Sequence, residues 1–213
     1  MRPYEQADDL EQAVDELSAR IYTALRDGGL DAEPLVELAC LTEEWDVSTA
    51  VTRELLERPA VELTAADLAR LGKALLDDVG FGPTFALEPG LLVPLEEALK
   101  VVDRDVRAAG ITGTLRMVLP DRDSMGLAWV EFQGIRHGNG LGPGGGDAQG
   151  VLQYVADATQ DVVVEATWKM WPACPVHDRG LRAELENEIA VWHCTSSGTH
   201  TVAPVGELLP ERR

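Results

Sequence analysis

Gly110-Ile111-Thr112-Gly113-Thr114-Leu115-Arg116-Met117-Val118-Leu119 is where the chain changes period. Leu115, Met117 and Leu119 alternate with Thr114, Arg116 and Val118, the pattern of a strand with one buried face. Pro120-Asp121-Arg122-Asp123-Ser124 is turn chemistry, and 127–135 reads as a second strand with Ala128, Val130 and Phe132 on one face. The two predict an antiparallel hairpin.

Upstream of Gly110 the spacing is helical. Leu10, Val14, Leu17, Ile21 and Leu25 make one apolar face, and Gly28-Gly29 supplies a left-handed stop. A second helix begins near Pro34 with Leu35, Leu38, Ala39 and Leu41, a set that also places Cys40 in the core. Ser48 is the expected cap of a third helix, bearing Val51, Leu55 and Leu56 and closed by Pro59. Thr64 with Asp67 reads as a capping box opening a fourth. A fifth is expected over 94–108, on Leu95, Leu99, Val102 and Val106.

Downstream of the hairpin lies a glycine-rich loop, residues 137–146. Val151, Val155, Val162 and Ala166 then favour a helix, although the valine run 162–164 also suits a strand. Short strands are expected at 189–192 and 201–205, around a turn at Ser196-Ser197-Gly198. The expected fold class is α+β. A bundle-like helical region, 1–109, leads into a hairpin, helix and hairpin region, 110–213, and the two pack as one unit.

The chain has 213 residues and a formal net charge of −19. Residues 1–109 carry 24 acidic and 10 basic side chains, and residues 110–213 carry 13 and 8. Such a field repels phosphate backbones and anionic lipid, so neither nucleic acid nor a membrane surface is an expected partner. A basic protein partner suits it, as does plain solubility. The start, Met1-Arg2-Pro3-Tyr4-Glu5-Gln6-Ala7, lacks the charged-then-apolar order of a secretory signal. Cys40, Cys174 and Cys194 are too few for a disulfide framework, so a cytoplasmic location is expected.

Chemistry concentrates near the C-terminus, over 171–208. Cys174, His177, Cys194 and His200 have the spacing C-x2-H-x16-C-x5-H. Zinc takes four sulfur or nitrogen ligands at tetrahedral corners, and short spacings let one turn deliver two of them. Pro172 and Pro175 stiffen the first knuckle, while Gly198 lets the second bend back. His193 competes with His200 for the fourth position. The alternative for the same residues is two small buried cysteines with turn-capping histidines. No H-E-x-x-H motif supplies a base, so structural zinc is favoured over catalytic. Glu184, Glu186 and Glu188 read as a solvated charge run, which leaves Glu207 as the nearby carboxylate to watch. Trp171 and Trp192, each close before a cysteine, are expected to pack over the site.

Trp171-Pro172-x-Cys174-Pro175-x-His177, Val191-Trp192-x-Cys194 and Ala203-Pro204-Val205-Gly206-Glu207-Leu208, preceded by Val155-Ala156-Asp157-x-x-Gln160-Asp161, resemble the C-terminal signature of a group of uncharacterised actinobacterial proteins. The resemblance covers about the last sixty residues. It implies an actinobacterial source and carries no activity with it.

The glycine-rich loop matches neither G-x-G-x-x-G nor a Walker motif and reads as a linker. His137 beside it has no accompanying nucleophile motif and reads as a surface histidine. With no complete catalytic constellation, the leading expectation is a non-enzymatic interaction protein: an inhibitor, immunity or regulatory factor for a basic partner. A metal-dependent hydrolase, or a binder of a small ligand between the glycine-rich loop and the cluster, is the second reading. An acidic mimic of nucleic acid is the third.

Overall fold

A computed structural model describes residues 3–44, 48–120, 126–144 and 146–210. Trp45 and most of the turn expected at 120–124 lie outside them. The fold is α+β, with the helices mainly N-terminal and the strands C-terminal. It forms two compact units rather than one, Met1–Pro83 and Thr84–Arg213. The division by period at 109/110 and the division into units differ by one helix. That helix, the fifth, carries its apolar face into the core of the second unit.

The first unit contains α1 (Pro3–Asp27), α2 (Ala32–Glu44), α3 (Ala50–Glu57) and α4 (Ala65–Asp78). Val14, Leu17, Ile21, Leu35, Leu38, Leu55, Leu71 and Leu75 form its core. The N-termini of α3 and α4 are both set by reciprocal caps. Thr64 and Asp67 form the expected box, whereas α3 is capped by Thr49, paired with Thr52, and not by Ser48. Cys40 is exposed, contrary to expectation: Leu35, Leu38, Ala39 and Thr42 occupy the buried stripe of α2, and Cys40 falls off it.

The second unit contains α5 (Val93–Ala108), β1 (Leu115–Val118), β2 (Trp129–Phe132), β3 (Ile135–Arg136), α6 (Ala148–Thr167), β4 (Leu181–Glu186), β5 (Ile189–Cys194) and β6 (Thr201–Pro204). Two antiparallel sheets, ordered β1-β2-β3 and β4-β5-β6, share one core with α5 and α6. The expected hairpin is present, with Leu115 opposite Phe132 and Val118 opposite Trp129. The stretch 127–135 is not one strand, however. Gln133 (φ 53°) and Gly134 (φ 83°) both take left-handed conformations, the geometry of a two-residue hairpin turn, and fold β3 back onto β2.

The valine run belongs to α6, with Val162 and Val163 buried in the core. Asp147 caps this helix through Gln149 N and Gly150 N. Those are donors a phosphate would need, and the adjacent loop instead anchors itself by pairing Leu141 with Ala128. His137 is exposed.

Glu184 and Glu186 face outward as expected of a solvated run, and they do so as the outward positions of β4, whose Leu181 and Ala183 point into the core. One polar row of α6 closes the outer edge of that strand. Gln160 Nε2 donates to Leu181 O (2.6 Å) and to Trp171 O (3.1 Å), Gln153 Nε2 reaches Ala183 O (3.5 Å), and Asp157 accepts from the Ala183 N–H.

Candidate metal centre

Residues 171–180 double back as a narrow knuckle. Leu181 N donates to Pro172 O (2.8 Å), Cys174 N to Arg179 O (2.7 Å) and Asp178 N to Cys174 O (3.0 Å). The second arm is the β5–β6 turn, where Cys194 N donates to His200 O (3.0 Å). Backbone pairing within each arm therefore sets one cysteine beside one histidine, and the second-unit core carries both cysteines, buried.

Cys174, His177, Cys194 and His200 converge, with one ligand atom from each lying within 4.8 Å of all the others. Individual separations are tighter. His177 Nδ1 is 3.7 Å from Cys174 Sγ and 3.4 Å from Cys194 Sγ, and His200 Nε2 is 3.7 Å from Cys174 Sγ. A tetrahedral ion with Zn–S near 2.3 Å and Zn–N near 2.05 Å has S···N edges of about 3.6 Å. Three of the edges thus already have the length that a bound ion would impose.

The surroundings orient the ligands. His200 Nδ1 lies 3.2 Å from Gly198 O, and because a carbonyl only accepts, that nitrogen carries the proton and leaves Nε2 free to ligate. Ser196 Oγ sits 3.3 Å from Cys194 Sγ and 3.1 Å from His177 Nδ1. Its hydroxyl is the largest influence lowering the Cys194 thiol to about 6, with His177 and Cys174 adding to it. The thiolate, which is the form that binds metal, is accessible at neutral pH.

His193 is not part of the group. It stands on the opposite face of β5 from Cys194, with Nδ1 3.3 Å from Glu184 Oε2. The strand period decides between the two histidines: residues 193 and 194 must point to opposite faces.

Trp171 and Trp192 are buried and meet edge to face, with centroids 5.6 Å apart at 71°. Both belong to the core cluster that includes the two cysteines. Behind them stands a residue that the sequence reading passed over. Asp105 of α5 is fully buried and accepts from Trp192 Nε1 (2.6 Å), Gly206 N (2.6 Å) and Leu208 N (2.8 Å). Burial pushes its carboxyl up, against the pull of these three donors. The available signal was a carboxylate three residues beyond Val102, on the helix's buried stripe.

The segment Ala203-Pro204-Val205-Gly206-Glu207-Leu208 gains a structural account from the same contacts. Val205 fills the core, Gly206 and Leu208 hang on Asp105, and Gly206 (φ 92°) passes Val101 so closely that a Cβ would lie 2.4 Å from its Cγ1. No helix among the described residues is long and apolar enough to cross a membrane. No family model matches the chain, and neither a curated protein nor a solved structure is significantly similar to it.

Proposed function

We propose that the second unit is a zinc-stapled module and that the protein acts by binding a basic protein partner, as an inhibitor, immunity or regulatory factor. The observation carrying the metal reading is the convergence of two thiols and two imidazoles at near-tetrahedral separations, from two arms that no covalent bond joins. Four protein ligands close the coordination sphere of zinc, which is the arrangement of structural sites. The ion ties the knuckle to the β5–β6 turn, and its binding energy is folding energy for both arms. The partner reading rests on the net charge of −19, a field that steers cationic surfaces inward.

Elemental analysis of full-length protein, purified without a metal-binding tag, tests the first part. One zinc per chain is expected, lost in Cys174→Ala and Cys194→Ala, and cobalt substitution should give the intense visible bands of a tetrahedral thiolate site. A metal-free chain, or zinc unchanged in both variants, overturns it. For the second part, a basic protein that forms a saturable one-to-one complex released by salt is expected. Failure to find any such complex at low ionic strength overturns that reading.

A further inference from the structure

One side chain beyond the four ligands reaches into the metal centre. Ser196 follows Cys194 by two residues in the β5–β6 turn and is half-buried, with its hydroxyl 3.1 Å from His177 Nδ1 and 3.3 Å from Cys194 Sγ. It therefore touches one ligand from each arm, His177 of the knuckle and Cys194 of the turn. The Ser196 N–H adds to the hydroxyl on the same Cys194 sulfur. Cys174 Sγ has no hydroxyl bonded to it among the described residues. Its histidine contacts are His177 Nδ1 and His200 Nε2, the two nitrogens that a bound ion takes up.

We propose that Ser196 is a positioning residue of the metal centre, whose hydroxyl donates to the metal-bound Cys194 sulfur and makes the two thiolates unequal. The proposal rests on the metal reading above and deepens it. A hydroxyl has one proton to give, and two acceptors lie within its reach. Ligation decides between them: an ion held through His177 Nδ1 occupies the lone pair of that nitrogen and leaves the sulfur as acceptor. Cys194 is completely buried, and a charge taken out of water needs donors of this kind. The hydrogen bond draws charge off the Cys194 sulfur, so Cys194 is the weaker electron donor to the metal and Cys174 the stronger.

Cobalt(II) titration of the full-length chain, purified without a metal-binding tag, tests this, with zinc competition reading affinity. Ser196→Ala should still take up one cobalt with the visible bands of a tetrahedral site. Its sulfur-to-cobalt charge-transfer band in the near ultraviolet should move to lower energy, because a sulfur that has lost its donor holds its electrons less tightly. Zinc affinity should fall about three- to tenfold, the low end for an outer partner, since water reaches a half-buried position. Ser196→Thr keeps the hydroxyl and should restore the band and bring affinity to within about twofold of the parent. Ser197→Ala, an exposed neighbour in the same turn, should leave both unchanged. A Ser196→Ala protein with the parent's band overturns the proposal, as does Ser196→Thr behaving like Ser196→Ala. Weaker affinity with an unmoved band also overturns it, reducing Ser196 to a part of the turn. A parent that takes up no cobalt overturns the metal reading and this one with it. A tetrahedral cobalt site in the parent keeps the metal reading standing whatever the Ser196 variants do.

Discussion

Removing the Asp105 carboxylate should loosen the second unit more than its small size suggests. Asp105→Ala strands three donors: the Trp192 indole and the Gly206 and Leu208 amides. A buried donor left without a partner costs about 1–3 kcal/mol. The indole bears the full cost, because Trp192 is completely buried. Gly206 and Leu208 are only half-buried, so water entering the emptied space recovers part of theirs. The sum is roughly 3–5 kcal/mol, from which relief of the carboxylate's own desolvation, the cause that pushes it up, returns about 1 kcal/mol. The net expectation is about 3 kcal/mol, or roughly a 10 °C lower Tm for a unit of this size. Asp105→Asn should cost about 2 kcal/mol, since its amide nitrogen faces a donor wherever it is placed. Urea unfolding followed by tryptophan emission reads this directly, because Trp171 and Trp192 both sit in the affected core. Asp103→Ala serves as control: its exposed i,i+4 pair with Arg107 is worth under about 0.5 kcal/mol. Should Asp105→Ala unfold within 1 kcal/mol of the parent, on the order of that control, the carboxylate is not the anchor described.

Three further expectations follow from named contacts. His200→Ala should lower zinc affinity at least about tenfold while His193→Ala leaves it unchanged; the reverse result in a competition titration would place the fourth ligand on the other face of β5. Burial, with Asp161 and Glu184 adding like charge, holds the Asp157 carboxyl up at about 6. A carboxyl raised above its unfolded value of about 3.9 favours the fold fully below that pH, and the contribution is lost as pH rises through about 6. Asp157→Asn should therefore exceed the parent in stability at pH 8 by about 1–2 kcal/mol, after allowing for solvent screening, with the gap shrinking towards pH 4; urea midpoints showing an equal gap at both pH values would contradict the assignment. Gly206→Ala should cost about 3 kcal/mol, combining positive φ with the approach to Val101, whereas Gly80→Ala (φ 67°, open space) should cost about 1 kcal/mol in thermal unfolding.

Helices were legible wherever periodicity and caps agreed. Thr64 with Asp67, and the apolar stripes of α1 and α5, suffice to place those elements, because a helix is set by neighbours within four residues. The unit boundary was not legible, since it depends on which core takes the stripe of α5, a long-range choice no local period encodes. β4 was hidden by its charges. Leu181-Arg182-Ala183-Glu184-Leu185-Glu186 alternates strictly, but its outward positions are all charged and continue into Glu188, so the same residues also fit a solvated acidic run. At the metal centre, residue types and spacing named the four candidates, and the choice between His193 and His200 needed only the strand that carries Cys194. The Asp105 anchor was out of reach because it arises where α5, β5 and the C-terminal segment meet, 87 to 103 residues apart in the chain.

The polar row along α6 bears on how this molecule keeps its own company. A three-stranded sheet offers two borders where a foreign strand can graft itself on, the usual seed of aggregation. On the β4 border Pro172 O, Gln160, Asp157 and Gln153 occupy the Leu181 and Ala183 main-chain groups before any visitor arrives. On the opposite border β6 runs only from Thr201 to Pro204 and ends on a residue with no N–H to share. The helix thus chaperones the sheet it leans on: a stretch of glutamines and an aspartate, chemically unremarkable on a helix face, serves as the hem that keeps one copy of the chain from unravelling into another.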